Sequence, residues 1–162
     1  MILVILGTQN KTFERLLKAI DKQIELGNIN DEVIVQAGQT IYESKNMKII
    51  DFIPMDKFDG LIEKADIVIS HGGVGTILKA LRKNKKVIAI PRLAKYKEHV
   101  NDHQKQIVNE FAKNGHVLKW ENLNKLDEVL EEVKNFKPAP YVGNNKLMLE
   151  IIESFIDGDK NG

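Results

Sequence analysis

Short apolar runs alternate with amphipathic segments along most of the chain. The first run, Ile2–Leu6, is uninterrupted and rich in isoleucine and valine, which is typical of a strand covered on both faces of a sheet. The segment after it places apolar residues three and four positions apart, which predicts a helix with one buried face. The same alternation recurs and predicts five more strands: Val33–Val35, Lys48–Ile53, Ile67–Ile69, Val87–Ile90 and His116–Lys119.

The predicted helices each present one largely apolar face at helical spacing. Asp56 is a plausible N-cap for the helix that follows the third strand. One more helix is predicted to begin near Thr76, directly after a glycine-rich loop. The other faces are Phe13, Leu16, Leu17 and Ile20; Phe58, Leu61, Ile62 and Ala65; Gln104, Ile107, Val108 and Phe111; Leu126, Val129, Leu130 and Val133; and Met148, Ile151, Ile152 and Phe155.

This order of elements predicts an α/β fold with a parallel sheet and right-handed crossovers. Six strands in two halves favour a Rossmann-like doubly wound sheet with strand order 3-2-1-4-5-6. We expect a single domain over residues 1–157 and a frayed tail over 158–162. A chain of 162 residues is long enough for such a core.

Composition narrows the functional classes. The formal net charge is +1, which gives no reason to expect a nucleic-acid partner. The sequence contains no cysteine, so disulfides and thiolate chemistry are excluded, and a cytoplasmic setting is expected. The apolar N-terminal run is too short for a signal peptide or a membrane span. Any membrane association is therefore expected to come from a surface or a partner.

The most informative stretch is residues 65–76, ADIVISHGGVGT, in which an apolar strand runs into a glycine loop and then a helix start. This geometry exposes backbone N–H groups and the positive end of a helix dipole to an anion. Glycine permits close approach and positive φ there. An ordinary strand-to-helix turn is the alternative interpretation.

Topology favours the anion-binding interpretation. In the predicted order the first and fourth strands are neighbours, and ligands of such sheets bind at their carboxyl ends. Gly7, Thr8 and Gln9 would then face Ser70–Gly75 across an open cleft. The first turn has only Gly7, so it lacks the G-x-G-x-x-G pattern of NAD and FAD sites, and the chain has no P-loop sequence.

Four stretches together resemble a known family. They are residues 51–55, DFIPM; residues 65–78, ADIVISHGGVGTIL; residues 90–92, IPR; and residues 98–104, EHVNDHQ. Their order over residues 1 to about 120 resembles the C-terminal half of GT-B glycosyltransferases of the MurG type, the glycosyltransferase family 28 C-terminal domain. The resemblance extends to stand-alone forms of that half, which include the catalytic subunit of the dolichol-pathway N-acetylglucosaminyltransferase and PssE-type proteins of bacterial capsule and exopolysaccharide synthesis.

The resemblance implies a UDP-sugar donor and a set of binding residues. It places Phe52 and Ile53 at the uracil, partly through backbone groups, and Lys79 at the position where the family usually has a glutamate that binds the ribose. This lysine puts the ribose contact in doubt, although it can instead approach a phosphate. A further departure is Val100, where many relatives have glutamine. The diphosphate would be surrounded by Gly7, Thr8, Gln9, His71, Gly72, Gly73, Val74, Gly75 and Thr76, and the donor sugar would lie near His99, Asn101, His103 and Gln104.

The resemblance also implies a two-component, inverting hexosyltransferase for polysaccharide or lipid-linked saccharide assembly. The sugar is left open among galactose, glucose and N-acetylglucosamine. No catalytic base is identified in this chain, and the resemblance places it on a membrane-anchored partner subunit that binds a lipid-linked acceptor. The isolated chain is therefore expected to be inactive or nearly so, and peripheral at the cytoplasmic face of the membrane. No metal or cofactor is expected.

Two alternatives belong to other classes. A non-catalytic nucleotide-sugar-binding or regulatory module is favoured by Lys79, whereas a sugar-nucleotide epimerase of related fold is disfavoured by the short chain. His99 and His103 have a spacing that suits a metal, but no third ligand is evident. The basic run Arg82–Lys86 is typical of a solvated helix end, with contact to anionic lipid as the alternative. Tyr96 is either a lid residue or simply exposed.

Overall fold

A six-stranded, all-parallel sheet forms the centre of the molecule. The computed structural model describes residues 1–7, 11–98 and 102–141, with the backbone alone at 102–104. The strand order is β3-β2-β1-β4-β5-β6, as the sequence predicted. The strands are β1 (Ile2–Ile5), β2 (Val33–Gln36), β3 (Lys48–Ile50), β4 (Ile67–Ser70), β5 (Lys86–Ala89) and β6 (Leu118–Lys119).

Five helices cover the two faces of this sheet. They are α1 (Glu14–Glu25), α2 (Met55–Lys64), α3 (Val74–Arg82), α4 (Asp102–Lys113) and α5 (Leu126–Asn135). The first and the last pack on one face, and the other three pack on the opposite face. The result is the three-layered, doubly wound α/β arrangement that alternating strands and helices produce.

The apolar pattern of each strand explains this layering. Along β1, Ile2 and Val4 point into the core beneath α1 and α5, whereas Leu3 and Ile5 point into the core beneath α2, α3 and α4. All four side chains are buried. Because both faces of this strand are covered by helices, side chains on either face are buried, and Ile2–Ile5 is therefore an unbroken apolar run.

The boundaries differ from the sequence prediction at a few places. The predicted cap residue Asp56 is not the N-cap: Pro54 occupies that position, and Asp56 lies in the first turn of α2. A proline there fixes φ without losing a helical hydrogen bond. The third strand ends at Ile50 rather than Ile53, because Ile53 N–H donates to the side chain of Gln36 and not to a neighbouring strand.

Smaller shifts occur at the other strands. The sixth begins at Leu118 rather than His116, whose ring Nδ1 lies 2.8 Å from the carbonyl oxygen of Ala139. Strand β5 is displaced by one residue towards Lys86, and β2 and β4 each gain one residue at their carboxyl ends. The helix predicted around Met148–Phe155 and the tail at 158–162 lie outside the described residues.

The described helices are too short or too polar to cross a bilayer.

Candidate functional site

Two glycine turns from distant parts of the sequence meet at the carboxyl edge of the sheet. Strands β1 and β4 are paired in parallel, with Ile5 opposite Ser70. The pairing continues one step further, since His71 N–H donates to the carbonyl oxygen of Ile5 at 3.1 Å. Gly7 leaves β1 with φ of +81°, which glycine adopts without strain. The predicted switch point is therefore where the two turns lie side by side.

The imidazole of His71 occupies the space between the two turns. A Cβ added to Gly7 would lie 2.5 Å from His71 Nε2, and one added to Gly73 would lie 2.6 Å from the same atom. The ring is 6% exposed. Because glycine has no Cβ, the backbone at positions 7 and 73 can approach the ring closely. The Nε2 edge of the ring faces these two glycines.

The second turn leads straight into helix α3. Gly72 has φ of +98°, and Gly73 is the N-cap residue with extended backbone. No described side chain caps this helix end, and its first turn contains no acidic residue. The amide groups of Val74, Gly75 and Thr76 begin the helix beside His71, so the positive end of the dipole is presented at the same place.

His71 is uncharged at physiological pH. Burial, and to a smaller extent the charge of Arg92, lower the pKa of His71 to about 3 from an ordinary value of 6.5. Its Nδ1 is buried without a hydrogen-bond partner among the described residues. A neutral imidazole still donates one N–H bond, so His71 can act on an anion as a hydrogen-bond donor but not as a cation.

An open cleft of about 560 Å³ extends from the two turns towards α2. This volume lies in the range of small-molecule sites. Gln36, at the end of β2, holds the far wall by accepting the N–H of Ile53 at 2.8 Å. Phe52 is 53% exposed beside it and offers a flat apolar surface. The residues lining the cleft are Ile5, Gly7, Gln36, Phe52, Ile53, Met55, Phe58, His71, Gly73, Gly75, Thr76 and Lys79.

Lys79 lines this cleft one turn into α3. Its ammonium lies 3.4 Å from the carboxylate of Asp59 and 2.9 Å from the sulfur of Met55. It also lies 5.2 Å from the centre of the Phe58 ring. The lysine is therefore held against α2 by three groups. At this position the cleft offers a donor from Lys79, whose ammonium is paired with Asp59.

A second layer of charged residues lies behind the glycine turns, on the loop after β5. Arg92 is 1% exposed and donates to the carbonyl oxygens of Leu6 at 2.5 Å and Lys11 at 2.7 Å. Glu98 is 3% exposed and accepts two hydrogen bonds from Arg15, at 2.9 and 3.0 Å. Arg92 thus ties the β5–α4 loop to the segment between β1 and α1, and Glu98 ties it to the first turn of α1.

Tyr96 belongs to the same loop and is half-exposed. It lies in a short 3-10 turn, Ala94–Tyr96, and its ring stacks on the guanidinium of Arg15 at 4.4 Å. The sequence left open whether this residue is a lid or is simply exposed. The structure shows it packed on a cation of α1.

Most predicted site residues in the described part of the chain surround this one cleft or the turn that bounds it. Whether they bind a nucleotide sugar stays a prediction. The predicted residues Thr8, Gln9, His99 and Asn101 lie outside the described residues. His103 and Gln104 lie in the first turn of α4, and their side chains also lie outside the description.

The sequence analysis missed the supporting residues. Gln36, Met55 and Phe58 line the cleft, and Arg15, Arg92 and Glu98 lie behind it. Gln36 was detectable as the single polar residue at the end of an otherwise apolar strand. Arg92 and Glu98 stand in two of the stretches that carry the family resemblance, but those stretches indicated no role for either residue. Arg15 carried no signal, because its partner Glu98 lies 83 residues away in sequence.

Among the side chains of residues 1–7, 11–98 and 105–141, no group of three or more histidines, aspartates or glutamates is placed to hold a metal ion.

Comparison with known proteins supplies the family. The UDP-N-acetylglucosamine transferase subunit ALG13 of Candida glabrata is 33% identical over 91 residues, which are 56% of this chain and 42% of that protein. The chain spans less than half the length of the curated relatives it matches. An NMR structure of ALG13 superposes with a TM-score of 0.61 at 20% identity and covers 96% of both chains.

The same fold forms part of longer chains. The crystal structure of Acinetobacter baumannii MurG superposes with a TM-score of 0.52 at 17% identity, covering 82% of this chain and 41% of that one. Likeness at this identity shows the fold, here the GT-B type that the sequence motifs resembled. The family model described as "Glycosyltransferase family 28 C-terminal domain" matches residues 1–157. The chain therefore belongs to the glycosyltransferase family 28 C-terminal domain family.

Proposed function

We propose that this chain is the donor-binding subunit of a two-component, inverting glycosyltransferase that uses UDP-N-acetylglucosamine. The observation that carries the proposal is the meeting of the two glycine turns around His71, at the N-terminus of α3 and the edge of an open cleft. A diphosphate is the ligand that such convergent N–H donors suit. Family membership supports the same ligand class.

The cleft has separate places for the parts of a nucleotide sugar. The glycine turns and the start of α3 suit the diphosphate, and Phe52 and Ile53 suit a base against an apolar wall. Between them, Lys79 supplies a donor where a ribose diol would pass, and Asp59 lies 3.4 Å from its ammonium. The donor sugar would lie towards the start of α4, where His103 and Gln104 are placed.

The chemistry follows from these positions. An acceptor oxygen forms a bond to C1 of the sugar while the bond from C1 to the diphosphate oxygen breaks, and the acceptor proton passes to a base. The leaving diphosphate gains negative charge as it departs. Preorganised amide groups and the neutral His71 N–H stabilise that charge without reorganising. Among the described residues at the cleft, we identify no general base for the acceptor hydroxyl, so we assign that role to a partner subunit.

The identity of the sugar and the partner rests on the relatives. These relatives are UDP-N-acetylglucosamine transferase subunits, which favours that sugar over galactose or glucose. The word subunit supports a heteromeric enzyme, and we propose a membrane-anchored, acceptor-binding partner at the cytoplasmic face. These names do not support the capsule or exopolysaccharide context that the sequence suggested. We propose no cofactor beyond the donor.

Binding to the isolated chain is the direct test. ¹⁵N-labelled protein is titrated with UDP, UDP-N-acetylglucosamine, UDP-glucose and UDP-galactose, with ADP as the control. The proposal predicts shifts at Gly7, Gly73 and Gly75 with every uridine nucleotide and tightest binding of UDP-N-acetylglucosamine. Shifts confined to other surfaces, or equal binding of ADP, would contradict it.

Catalysis needs a second experiment. Radiolabelled sugar transfer to a lipid acceptor is measured in membranes with and without this chain. Transfer that appears only when chain and membrane partner are both present supports the two-component enzyme. Donor binding without transfer under any of these conditions favours the non-catalytic module instead.

A further inference from the structure

Arg92 lies buried directly behind the glycine turns. It follows β5, whose last pairing brings Ile90 N–H to the carbonyl oxygen of Ser70 at 2.8 Å. Its neighbour Pro91 packs against Gly72, where an added Cβ would lie 4.0 Å from the proline Cα. The backbone that leads into Arg92 therefore lies against the turn that carries His71.

The guanidinium holds the first turn by two backbone contacts. One terminal nitrogen donates to the carbonyl oxygen of Leu6, one residue before Gly7, and the other donates to that of Lys11. These two carbonyl groups flank residues 7–10. A planar guanidinium can bridge two such carbonyl groups at fixed geometry, whereas a lysine ammonium has no equivalent fork.

Among the described residues, Arg92 forms no ion pair. No described carboxylate lies within 4.0 Å of it, because the nearest candidate, Glu98, is paired with Arg15. Glu98 also accepts the N–H of Leu93 at 3.0 Å. Burying a guanidinium is costly, and two carbonyl hydrogen bonds and the Phe13 ring, whose centre lies 5.2 Å from the guanidinium carbon, offset this cost while leaving the positive charge in place.

The field of this charge reaches the site. The charge of Arg92 is one of the two causes that lower the pKa of His71. Burial lowers the pKa of Arg92 itself, and Glu98 partly opposes this, but an arginine remains protonated in proteins. The glycine turns therefore face a fixed positive charge as well as the dipole of α3.

We propose that Arg92 is the positioning residue for the diphosphate: it fixes the Gly7 turn against His71 through the two carbonyl groups and supplies, from behind, the positive charge that neutral His71 lacks. This inference rests on the proposed function, since it needs an anionic ligand at the turns. It goes beyond that function because Arg92 itself lies outside the cleft lining.

The test separates charge from folding by comparing three ligands. UDP, UMP and uridine share the base and ribose and differ in phosphate charge. Their affinities are measured by calorimetry or NMR titration for the wild type, Arg92→Met and Arg92→Lys. The control is Arg82→Met, which makes the same charge change on an exposed residue at the far end of α3.

The proposal predicts that Arg92→Met weakens UDP about tenfold, the size expected for a unit charge at several ångströms in a partly polar medium, and leaves uridine unchanged. Arg92→Lys should recover part of the UDP affinity because it keeps the charge. Arg82→Met should resemble the wild type. An equal loss for UDP and uridine, or no loss for either, would show a merely structural role and overturn the inference.

A wild-type measurement covers the case in which both Arg92 variants fail to fold. The sequence has three arginines, so ¹⁵N-arginine labelling gives few side-chain signals, assigned with Arg82→Met and Arg15→Lys. The Arg92 Nε signal should move with UDP and stay still with uridine. If UDP binds but the Arg92 Nε signal does not move, the inference about Arg92 is overturned and the proposed function still holds. A wild-type chain that binds no uridine nucleotide removes both.

Discussion

Gly73→Ala is the sharpest test of how the site is built. The added methyl group would lie 2.6 Å from His71 Nε2 and 3.0 Å from Cε1. The ring cannot swing away freely, because Gly7 closes its other side and only 6% of the residue is exposed. The backbone at Gly73, with φ of −67° and ψ of 123°, suits alanine, so the cost is steric rather than conformational.

The magnitude follows from two contributions. Overpacking of a buried site typically costs about 1–3 kcal/mol. Loss of glycine at an N-cap adds about 1 kcal/mol, because alanine is a poor cap. Together they predict a loss of about 3 kcal/mol, which is a large share of the 5–15 kcal/mol stability of a domain of this size. With a urea dependence of about 2 kcal/mol per molar, the unfolding midpoint falls by about 1.5 M.

A double-mutant cycle isolates the clash. Stability is measured by urea unfolding followed through the fluorescence of Trp120, the single tryptophan, for the wild type, Gly73→Ala, His71→Ala and the double variant. Without the ring, the clash disappears and only the cap contribution of about 1 kcal/mol remains. Gly75→Ala is the matched control, since an added Cβ meets nothing within 4 Å there. It should raise stability by about 0.5–1 kcal/mol.

The outcome is decided by the coupling between the two positions. If Gly73→Ala costs the same with and without the His71 ring, the ring does not fill the space between the turns. The same conclusion follows if Gly75→Ala destabilises as much as Gly73→Ala.

Three further predictions concern stability. Because the pKa of His71 is about 3 in the folded chain and 6.5 ordinarily, the unfolded chain binds one more proton between these values. Stability should thus fall as pH drops from 6.5 towards 3, and His71→Gln should flatten this slope by about one proton in pH-dependent urea unfolding. Burial opposes ionisation of Asp21, but hydrogen bonds from Asn46, Tyr42 and Ser44 outweigh it and lower its pKa below 3.8. The ionised Asp21 therefore stabilises the loop before β3 above pH 3.8, and this stabilisation is lost in stronger acid. Asp21→Asn should remove that part of the acid sensitivity and speed amide hydrogen exchange in the loop. An unchanged exchange rate would contradict this role. Glu98→Ala leaves Arg15 and Leu93 N–H without their acceptor and should cost about 3 kcal/mol in the urea assay. The exposed pair partner Glu131 is the control, and Glu131→Ala should cause no resolvable change.

The sheet was predictable because its signal is periodic and local. Runs such as Ile2–Leu6 and Ile67–Ile69 are fully apolar because both faces are covered, and the division into two halves determined the strand order. Once that order was known, the meeting of Gly7 with His71 followed from topology. The meeting of the two turns was thus predicted through the fold, whereas the binding role of the residues around them stays a prediction.

The residues behind the site were not predictable in this way. Arg92 contacts backbone carbonyl groups 81 and 86 residues away, and any residue type can provide a carbonyl group. Glu98 and Arg15 are 83 residues apart and lie in loops without periodicity. Asp56 was mistaken for a cap because aspartate suits that position in general, whereas the chain enters α2 through Pro54.

The central place of β1 has a consequence for synthesis on the ribosome. This strand pairs with β2 on one side and with β4 on the other, and β4 ends at Ser70. Until that residue leaves the exit tunnel, one margin of the apolar segment Ile2–Ile5 has its amide groups unpaired and open to another nascent chain. Strand β1, which is central in the folded sheet, is thus among the strands whose edge stays unpaired longest during synthesis. Chaperone protection is therefore expected to matter most while residues 1–70 emerge.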